Sequence, residues 1–222
     1  MSNACLFSGG KDSTLALHKA VSSGMTVDLL ITMLPESRDS YMFHYPNLKF
    51  TKLQAEALGI RQVFAMTKGI KEEELKDLEE VLAENKVKGL VTGATYSTYQ
   101  LNRIKVISER LGIDNFSPLW HIEPMSELKE LAETFDAIIT SVSAEGFDKS
   151  YLGAKIDENM IAKLLRLNQK YNINMLFEGG EAESFVLDAP LFKKRIKINK
   201  SSVEWQGTRG LYQIEEAELA AK

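Results

Sequence analysis

Short apolar runs alternate with stretches of helical periodicity along the first half of the chain. The runs that predict strands are residues 4–7, 27–31, 62–65, 88–93 and 115–116. Between two of them, Leu75, Leu78 and Leu82 recur at the spacing of one helix face. This alternation is typical of an α/β fold, in which a doubly wound parallel sheet carries helices on both faces.

Glycine marks the ends of several predicted helices. Gly24, Gly59 and Gly112 each separate a helical pattern from the apolar run that follows it. Glycine adopts the left-handed conformation that commonly ends a helix, and the apolar residue after it can pack back on the last turn. We therefore expect tight helix-to-strand turns at these positions.

The pattern changes near residues 118–120, where a proline follows a predicted strand. We expect an N-terminal domain at 1–120 and a smaller C-terminal α+β domain at 121–222. The second domain contains predicted helices at 127–135 and 157–171, a strand at 137–142, and an alternating segment at 195–214 that is typical of antiparallel strands. The acidic end, residues 215–222, is expected to be a frayed tail or a short helix.

Composition narrows the class of protein. The 222 residues are 44% hydrophobic, which is enough for a substantial core, and the net charge of -4 argues against a direct nucleic-acid partner. No apolar run approaches the roughly 20 residues that span a bilayer, and no signal peptide is evident, so we expect a cytoplasmic protein without a membrane partner. Cys5 is the only cysteine, which excludes an internal disulfide and a Cys-x-x-Cys site.

The segment 8–13, with the sequence Ser-Gly-Gly-Lys-Asp-Ser, lies between the first predicted strand and the first predicted helix. Gly9 and Gly10 have no Cβ, so the chain can turn sharply and bring backbone N–H groups close to an anion. The N-terminus of the helix adds unpaired N–H groups, and Ser8 and Ser13 add hydroxyl donors. We interpret the segment as a phosphate-binding loop; the alternative is an ordinary glycine turn.

Two charged residues complete the loop. Lys11 supplies a positive charge for a phosphate. A carboxylate repels bare phosphate, so Asp12 is interpreted either as a ligand of Mg²⁺ or as the cap of the helix.

Further candidates belong to the same edge of the predicted sheet, where the carboxyl ends of parallel strands form a crevice. Gly93 ends a strand and can approach a nucleotide closely. Tyr99 and Arg103 follow on the next helix, where Arg103 either binds a phosphate or carboxylate or forms a surface ion pair. His44 lies in a polar and aromatic segment, and it is interpreted as a hydrogen-bond donor to a phosphate, a proton carrier or a structural residue.

The second half contains an acidic segment, in which Glu178, Gly179, Gly180, Glu181 and Glu183 are predicted to form a turn between two strands. Crowded carboxylates raise one another's pKa unless a cation lies among them. Mg²⁺, ammonium or a cationic substrate is therefore the expected partner, and the alternative is a polar hairpin turn.

The loop resembles the SGGxDS loop of the N-type ATP pyrophosphatases, which cleave ATP between its α- and β-phosphates. Segments 8–13, 41–44, 93–103, 118–120, 145–153 and 178–190 together resemble the diphthine–ammonia ligase family of these enzymes. The resemblance implies a Rossmann-like fold of the HUP class, similar to the adenine nucleotide alpha hydrolases. This sequence departs from the family pattern at Ala182, where a larger residue is common, and at Ser184, where threonine is common.

The resemblance also implies the last step of diphthamide biosynthesis. ATP adenylates a carboxylate of diphthine on translation elongation factor two, and ammonia displaces AMP. Residues 8–13 would hold the pyrophosphate, with Lys11 neutralising charge and Asp12 placing Mg²⁺. Glu178, Glu181 and the catalytic Glu183 would face the trimethylammonium group or ammonium, with Tyr99 and Trp120 as aromatic neighbours. A homodimer is one assembly that the resemblance leaves open.

Two other classes share parts of this pattern. Sulfur-transferring pyrophosphatases that act on tRNA require paired cysteines, and Cys5 has no partner cysteine. The remaining alternatives are a nucleotide-binding regulator without turnover and an adenylating pyrophosphatase that acts on another carboxylate or on a tRNA. Lys11, Asp12 and the acidic segment count against the regulator.

Overall fold

The computed structural model describes residues 2–35, 47–67 and 73–222. These residues contain six α-helices, which are α1 (Lys11–Ser22), α2 (Thr51–Leu58), α3 (Glu73–Glu84), α4 (Thr98–Leu111), α5 (Pro124–Thr134) and α6 (Glu158–Tyr171). Single turns of 3₁₀ helix occur at Leu48–Phe50 and Lys149–Tyr151.

The described residues also contain nine strands, which are β1 (Ser2–Leu6), β2 (Leu29–Pro35), β3 (Arg61–Thr67), β4 (Val87–Val91), β5 (Asp114–Phe116), β6 (Asp136–Val142), β7 (Ala182–Asp188), β8 (Arg195–Gln206) and β9 (Arg209–Ala220). They form a five-stranded sheet in the order β3-β2-β1-β4-β5 and a four-stranded sheet in the order β7-β6-β9-β8.

The five-stranded sheet is entirely parallel, and its strand order reverses between β1 and β4. Ala4 and Cys5 are consecutive in β1 and therefore point to opposite faces, yet both are fully buried. Ala4 packs in a cluster with residues of α3 and α4, whereas Cys5 contacts Ser13 of α1. Helices therefore cover both faces, and the predicted doubly wound sheet is confirmed.

The glycine turns that end the helices are confirmed as well. Gly24, Gly59 and Gly112 all have positive φ. The N–H of Met25 donates to the carbonyl of Ala20, and the N–H of Ile113 donates to the carbonyl of Ser108. Both bonds span six residues, as in the Schellman motif, so the last carbonyls of α1 and α4 are satisfied before the chain enters the next strand.

The four-stranded sheet is antiparallel, and with α5 and α6 it gives the predicted α+β architecture of the C-terminal half. The prediction of a frayed or helical end at 215–222 is wrong, because β9 continues to Ala220 and pairs with β8 along its length. Lys197 pairs with Glu218 and Lys200 with Glu215 across the hairpin. These cross-strand ion pairs accommodate charges that in the sequence hide the strand pattern.

The chain divides into two compact units. The first comprises residues 1–8, 12–48 and 59–121, and the second comprises 9–11, 49–58 and 122–222. Two N-terminal segments therefore belong to the unit that is built mainly from the C-terminal half. The sequence-based division into domains 1–120 and 121–222 stays a prediction.

Candidate functional site

In the first unit, the ends of β1 and β4 flank the point where the strand order reverses. Ser8 follows β1, and its hydroxyl oxygen lies 3.3 Å from that of Ser13 in α1. Asp12 is half-buried in the first turn of α1, where a carboxylate is stabilised by the helix dipole. These are the features expected where an α/β sheet binds a phosphate.

Gly93 lies just beyond β4 and contacts the start of α1. A Cβ built at Gly93 would lie 2.9 Å from the carbonyl carbon of Asp12 and 2.9 Å from the amide nitrogen of Ser13. Both contacts are with backbone atoms, which cannot rotate away as a side chain can. Gly93 is therefore required for the close approach of strand end and helix start, a packing role that is separate from the predicted nucleotide contact.

We expect Gly93→Ala to lower the free energy of unfolding by about 1–3 kcal/mol, because the helix start has to move. Urea denaturation measures this loss, and calorimetric titration with ATP measures the effect on the loop. Gly112→Ala is the control: Gly112, unlike Gly93, has a positive φ, of 63°, but no neighbour lies within 4 Å of its Cβ position. Equal ATP affinities of Gly93→Ala and Gly112→Ala would contradict the predicted contact between Gly93 and the nucleotide.

In the second unit, residues 9–11 run along the outer edge of β7. The N–H of Val186 donates to the carbonyl of Gly9 at 3.0 Å, and the N–H of Lys11 donates to the hydroxyl of Ser184 at 3.0 Å. Gly9 lies opposite Val186 and Lys11 opposite Ser184, so the segment is antiparallel to the strand. β7 is an edge strand, and this pairing satisfies backbone groups that its partner β6 does not reach.

Gln54, which is fully buried in α2, fastens the same segment. Its side-chain amide donates at 2.8 Å to the carbonyl of Gly9 and at 2.8 Å to the carbonyl of Val186. A Cβ at Gly9 would overlap the Gln54 carbonyl oxygen, and the φ of Gly9 is +77°. Glycine is therefore needed at position 9 for its backbone conformation and for its packing against α2.

The ammonium group of Lys11 is enclosed in the second unit. Its Nζ lies 3.6 Å from Oε1 of Glu127, and neither side chain has any exposed surface. The ring of Phe177 lies on another side, with its centroid 5.5 Å from Nζ. Carboxylate and aromatic face are the two environments that favour a cation, so the charge is placed in a defined position.

The start of α5 explains why Glu127 points inward. Glu123 caps the helix by accepting from the N–H groups of Met125 and Ser126, at 2.9 and 2.7 Å. Pro124 occupies the first helical position, where no N–H is needed. Glu127 follows in the first turn, beside the buried Leu128, and its negative charge is favoured there by the helix dipole.

We expect Lys11→Met to lower the free energy of unfolding by about 3 kcal/mol or more, because it leaves a buried carboxylate without its cation. The double variant Lys11→Met/Glu127→Leu should recover most of this loss, since it removes both charges. Urea denaturation checks both values. Lys105→Met is the control, because this lysine is 66% exposed. Equal instability of the single and double variants would contradict the strength of the ion pair.

The acidic segment is organised by Glu181. One carboxylate oxygen accepts from the N–H of Asn174 and the other from the N–H of Gly179, both at 2.8 Å. The carbonyl of Glu181 accepts from the N–H of Ser143 at 2.8 Å, and Gly180 has a φ of +78°. Backbone N–H groups therefore hold the Glu181 carboxylate in place, and Glu181 in turn holds the loop that carries the other glutamates of the acidic segment.

The prediction that the acidic segment joins two strands is wrong. Helix α6 ends at Tyr171, residues 172–181 have no regular structure, and β7 starts at Ala182. An apolar run before Glu178 resembles a strand in the sequence, but Met175, Leu176 and Phe177 are buried in a loop. Glu178 is half-buried, and Glu183 lies exposed on β7 opposite Ser141.

We expect Glu181→Ala to lower the free energy of unfolding by about 1–2 kcal/mol, because two backbone N–H groups lose their acceptor. Glu183→Ala removes the same group from an exposed strand position and should change stability by less than about 0.5 kcal/mol. Thermal denaturation of both variants tests the difference. Equal losses would show that Glu181 does not organise the segment.

A second loop, residues 145–153, packs its aromatic side chains beside the acidic segment. The ring of Phe147 lies 4.9 Å from that of Tyr151 and 6.5 Å from that of Phe177. Asp148 caps the single helical turn, and hydrogen bonds from the side chain and backbone of Ser150 hold the pKa of its carboxyl below the ordinary value. Lys149 is exposed.

The remaining sequence-predicted residues lie apart from these contacts or outside the described residues. In the first unit, Arg103 donates to the Tyr99 hydroxyl and covers its ring at 4.7 Å, so the two predicted residues contact each other. Trp120 packs edge-on against His121 at 4.7 Å. His44 and segment 41–44 lie outside the described residues, and their roles stay predictions.

Within the described ranges, no group of three or more His, Cys, Asp or Glu side chains is arranged to hold a metal ion. In the same ranges no helix is both long and apolar enough to cross a membrane. The role of Asp12 toward Mg²⁺ stays a prediction.

Three residues that contact the loop were not predicted from the sequence, namely Gln54, Glu127 and Phe177. Glu127 resembles any acidic residue near the start of a solvated helix. Gln54 offers one signal, because it stands between Leu53 and Ala55 and is, with Thr51, a polar residue on the buried side of a short helix. For Phe177 the sequence offers only its place beside the acidic residues.

The parallel sheet with a glycine loop at its switch point is the architecture of nucleotide-binding α/β proteins. Family models narrow the class further. The diphthamide synthase N-terminal domain matches residues 1–115, and the diphthamide synthase C-terminal domain matches residues 123–220. The chain belongs to the diphthine–ammonia ligase family, and the resemblance stated from the sequence is confirmed.

Individual relatives agree. The human diphthine–ammonia ligase is 32% identical over 224 residues, which cover 90% of this chain and 84% of the human protein. The zebrafish enzyme of the same name is 34% identical over 218 residues, with 87% and 85% covered. A solved structure described as a predicted subunit of tRNA methyltransferase from Methanocaldococcus jannaschii covers 86% of this chain and 98% of its own, at 17% identity and a TM-score of 0.46.

Proposed function

We propose that this protein is an ATP-dependent ligase that forms the amide of diphthamide. The observation that carries the proposal is the placement of Lys11. This phosphate-loop lysine contacts Phe177, the residue immediately before the acidic segment, within one compact unit of a chain that belongs to the ligase family. The phosphate loop and the acidic segment are thereby joined by a packing contact.

In the proposed reaction, a carboxylate oxygen of diphthine attacks the α-phosphorus of ATP and pyrophosphate leaves. Ammonia then attacks the adenylated carbonyl carbon, AMP leaves, and a proton is released as the primary amide forms. The protein substrate is translation elongation factor two. Neither step needs a protein nucleophile, so the chain contributes by binding, by alignment and by placing charge.

The phosphate-loop residues fit a triphosphate. The hydroxyl groups of Ser8 and Ser13 lie together beside the start of α1 at the switch point, and Gly9 has a positive φ. Gly10 and Gly93 add backbone without side chains. A carboxylate such as Asp12 is a hard ligand, and Mg²⁺ beside it would offset charge on the departing phosphate oxygens.

The acidic segment is proposed to recognise the substrate's cation. Glu178, Gly179, Gly180 and Glu183 form its accessible part, while Glu181 holds the backbone in place. A trimethylammonium group and ammonium are both cations that carboxylates bind. Glu183 is proposed as the residue that directs ammonia, because it is exposed on β7 two residues after Glu181.

Tyr99, Arg103 and His44 are proposed to contact the substrate from the N-terminal domain. We assign residues 1–120 to nucleotide binding and 121–222 to substrate recognition. The proposed protein substrate acts in translation, so the ligase is proposed to work in the cytoplasm, without nucleic acid as a direct partner and with a homodimer as one assembly to test.

The test incubates the protein with ATP, Mg²⁺, ammonium and diphthine-bearing elongation factor two. We expect AMP and pyrophosphate in equal amounts, and a factor that is lighter by the difference between an oxygen atom and an NH group. Glu183→Ala should keep ATP affinity and lose amide formation. ADP as product would overturn the adenylation chemistry, and ATP binding without AMP would favour the regulator without turnover.

A further inference from the structure

We infer that Glu127 is a positioning residue for the ammonium group of Lys11. Its carboxylate holds the ammonium in a place without exposed surface, which fixes the loop backbone that would meet the phosphates, and it offsets part of the lysine's charge. The inference rests on the proposed function, because the loop meets phosphate only if ATP is bound there. It assigns a role to a residue of α5, outside both the phosphate loop and the acidic segment.

Burial of the ion pair between Lys11 and Glu127 has a cost in free energy. Two charges without exposed surface lie 3.6 Å apart. Removing both from water costs more than a surface pair returns, and an apolar pair of similar volume commonly gives the same stability or more. Stability alone therefore does not explain why α5 carries a glutamate at position 127, where the other buried residues of the helix are Leu128 and Leu131.

The position of the Lys11 ammonium is restricted by contacts at both ends of the residue. A lysine side chain has four rotatable carbon bonds, and an anionic partner limits which of its rotamers are populated. Here the backbone N–H of Lys11 is fixed on Ser184, while its ammonium is fixed between Glu127 and Phe177. Both ends of the residue are held, so the charge has one defined position relative to the loop, as alignment of a transition state requires.

The negative charge of Glu127 also affects how strongly the loop binds an anion. A carboxylate beside the ammonium lowers the positive potential that an incoming anion meets. Without this negative charge the loop should bind free pyrophosphate more tightly, yet the ammonium would no longer be held in place. A merely structural role for Glu127 predicts the opposite for binding, because a damaged loop binds any anion less well.

The experiment compares Glu127→Gln, which keeps the shape and removes the charge, with Glu127→Asp, which keeps the charge on a shorter side chain. Glu133→Gln is the matched control, because it makes the same charge change at an exposed position of the same helix. Calorimetric titration with inorganic pyrophosphate and Mg²⁺ measures anion affinity. AMP release with diphthine-bearing elongation factor two gives kcat and the KM for ATP.

For Glu127→Gln we expect pyrophosphate affinity to rise about threefold or more, since one nearby negative charge is gone. We expect kcat to fall about tenfold or more while the KM for ATP does not rise, because an interaction aligned for the transition state is lost. Glu127→Asp should keep pyrophosphate affinity near that of the wild type and recover part of kcat. Glu133→Gln should match the wild type in all three quantities.

The inference is overturned if Glu127→Gln has a wild-type kcat, or if its pyrophosphate affinity and kcat fall together. Thermal denaturation gives the folded fraction by which both are corrected. If Glu127→Gln does not fold, Glu127→Asp decides alone: a lowered kcat with unchanged pyrophosphate affinity supports the role, and parallel losses reject it. Failure of the proposed function has a separate signature, namely a wild-type protein that releases no AMP.

Discussion

A lysine and a glutamate whose charges are sealed from solvent impose the strictest requirement on the second unit. Charges in such a place must meet each other with little freedom, because water is not there to correct a misplacement. The backbone that carries Lys11 is accordingly bonded to the edge of β7, and Gln54 fastens Gly9 to the same strand. The absence of a side chain at Gly9 and the buried orientation of Glu127 in α5 contribute to the same ion-pair geometry.

The phosphate loop is thereby divided in its attachments. Residues 9–11 belong with β7, α2 and α5, whereas Ser8, Asp12 and Ser13 belong to the unit of the parallel sheet. Because Phe177 covers the ammonium and also precedes the acidic segment, the residues that we assign to phosphate and to the cationic substrate share a common packing contact.

The sequence predicted what depends on local signals. Glycine after a helical pattern predicted the turns at Gly24 and Gly112, and apolar runs predicted the parallel strands. It failed where partners are distant along the chain. Gln54 is bonded across 132 residues to Val186, and nothing near either residue indicates the pairing. The end of the last strand, from residue 215, was missed for a similar reason, because Glu215 and Glu218 pair with lysines on the neighbouring strand.

The discontinuous make-up of the second unit has a consequence for biosynthesis. Helix α2 packs against β8 and β9, and the N–H of Lys193 donates to the carbonyl of Ala57 at 2.7 Å. On the ribosome this helix emerges long before those strands exist, so its apolar side stays uncovered until translation is nearly finished. A fragment beginning at residue 122 would be missing a piece of its own interior, and separate expression of the two halves divides a folding unit rather than two independent ones.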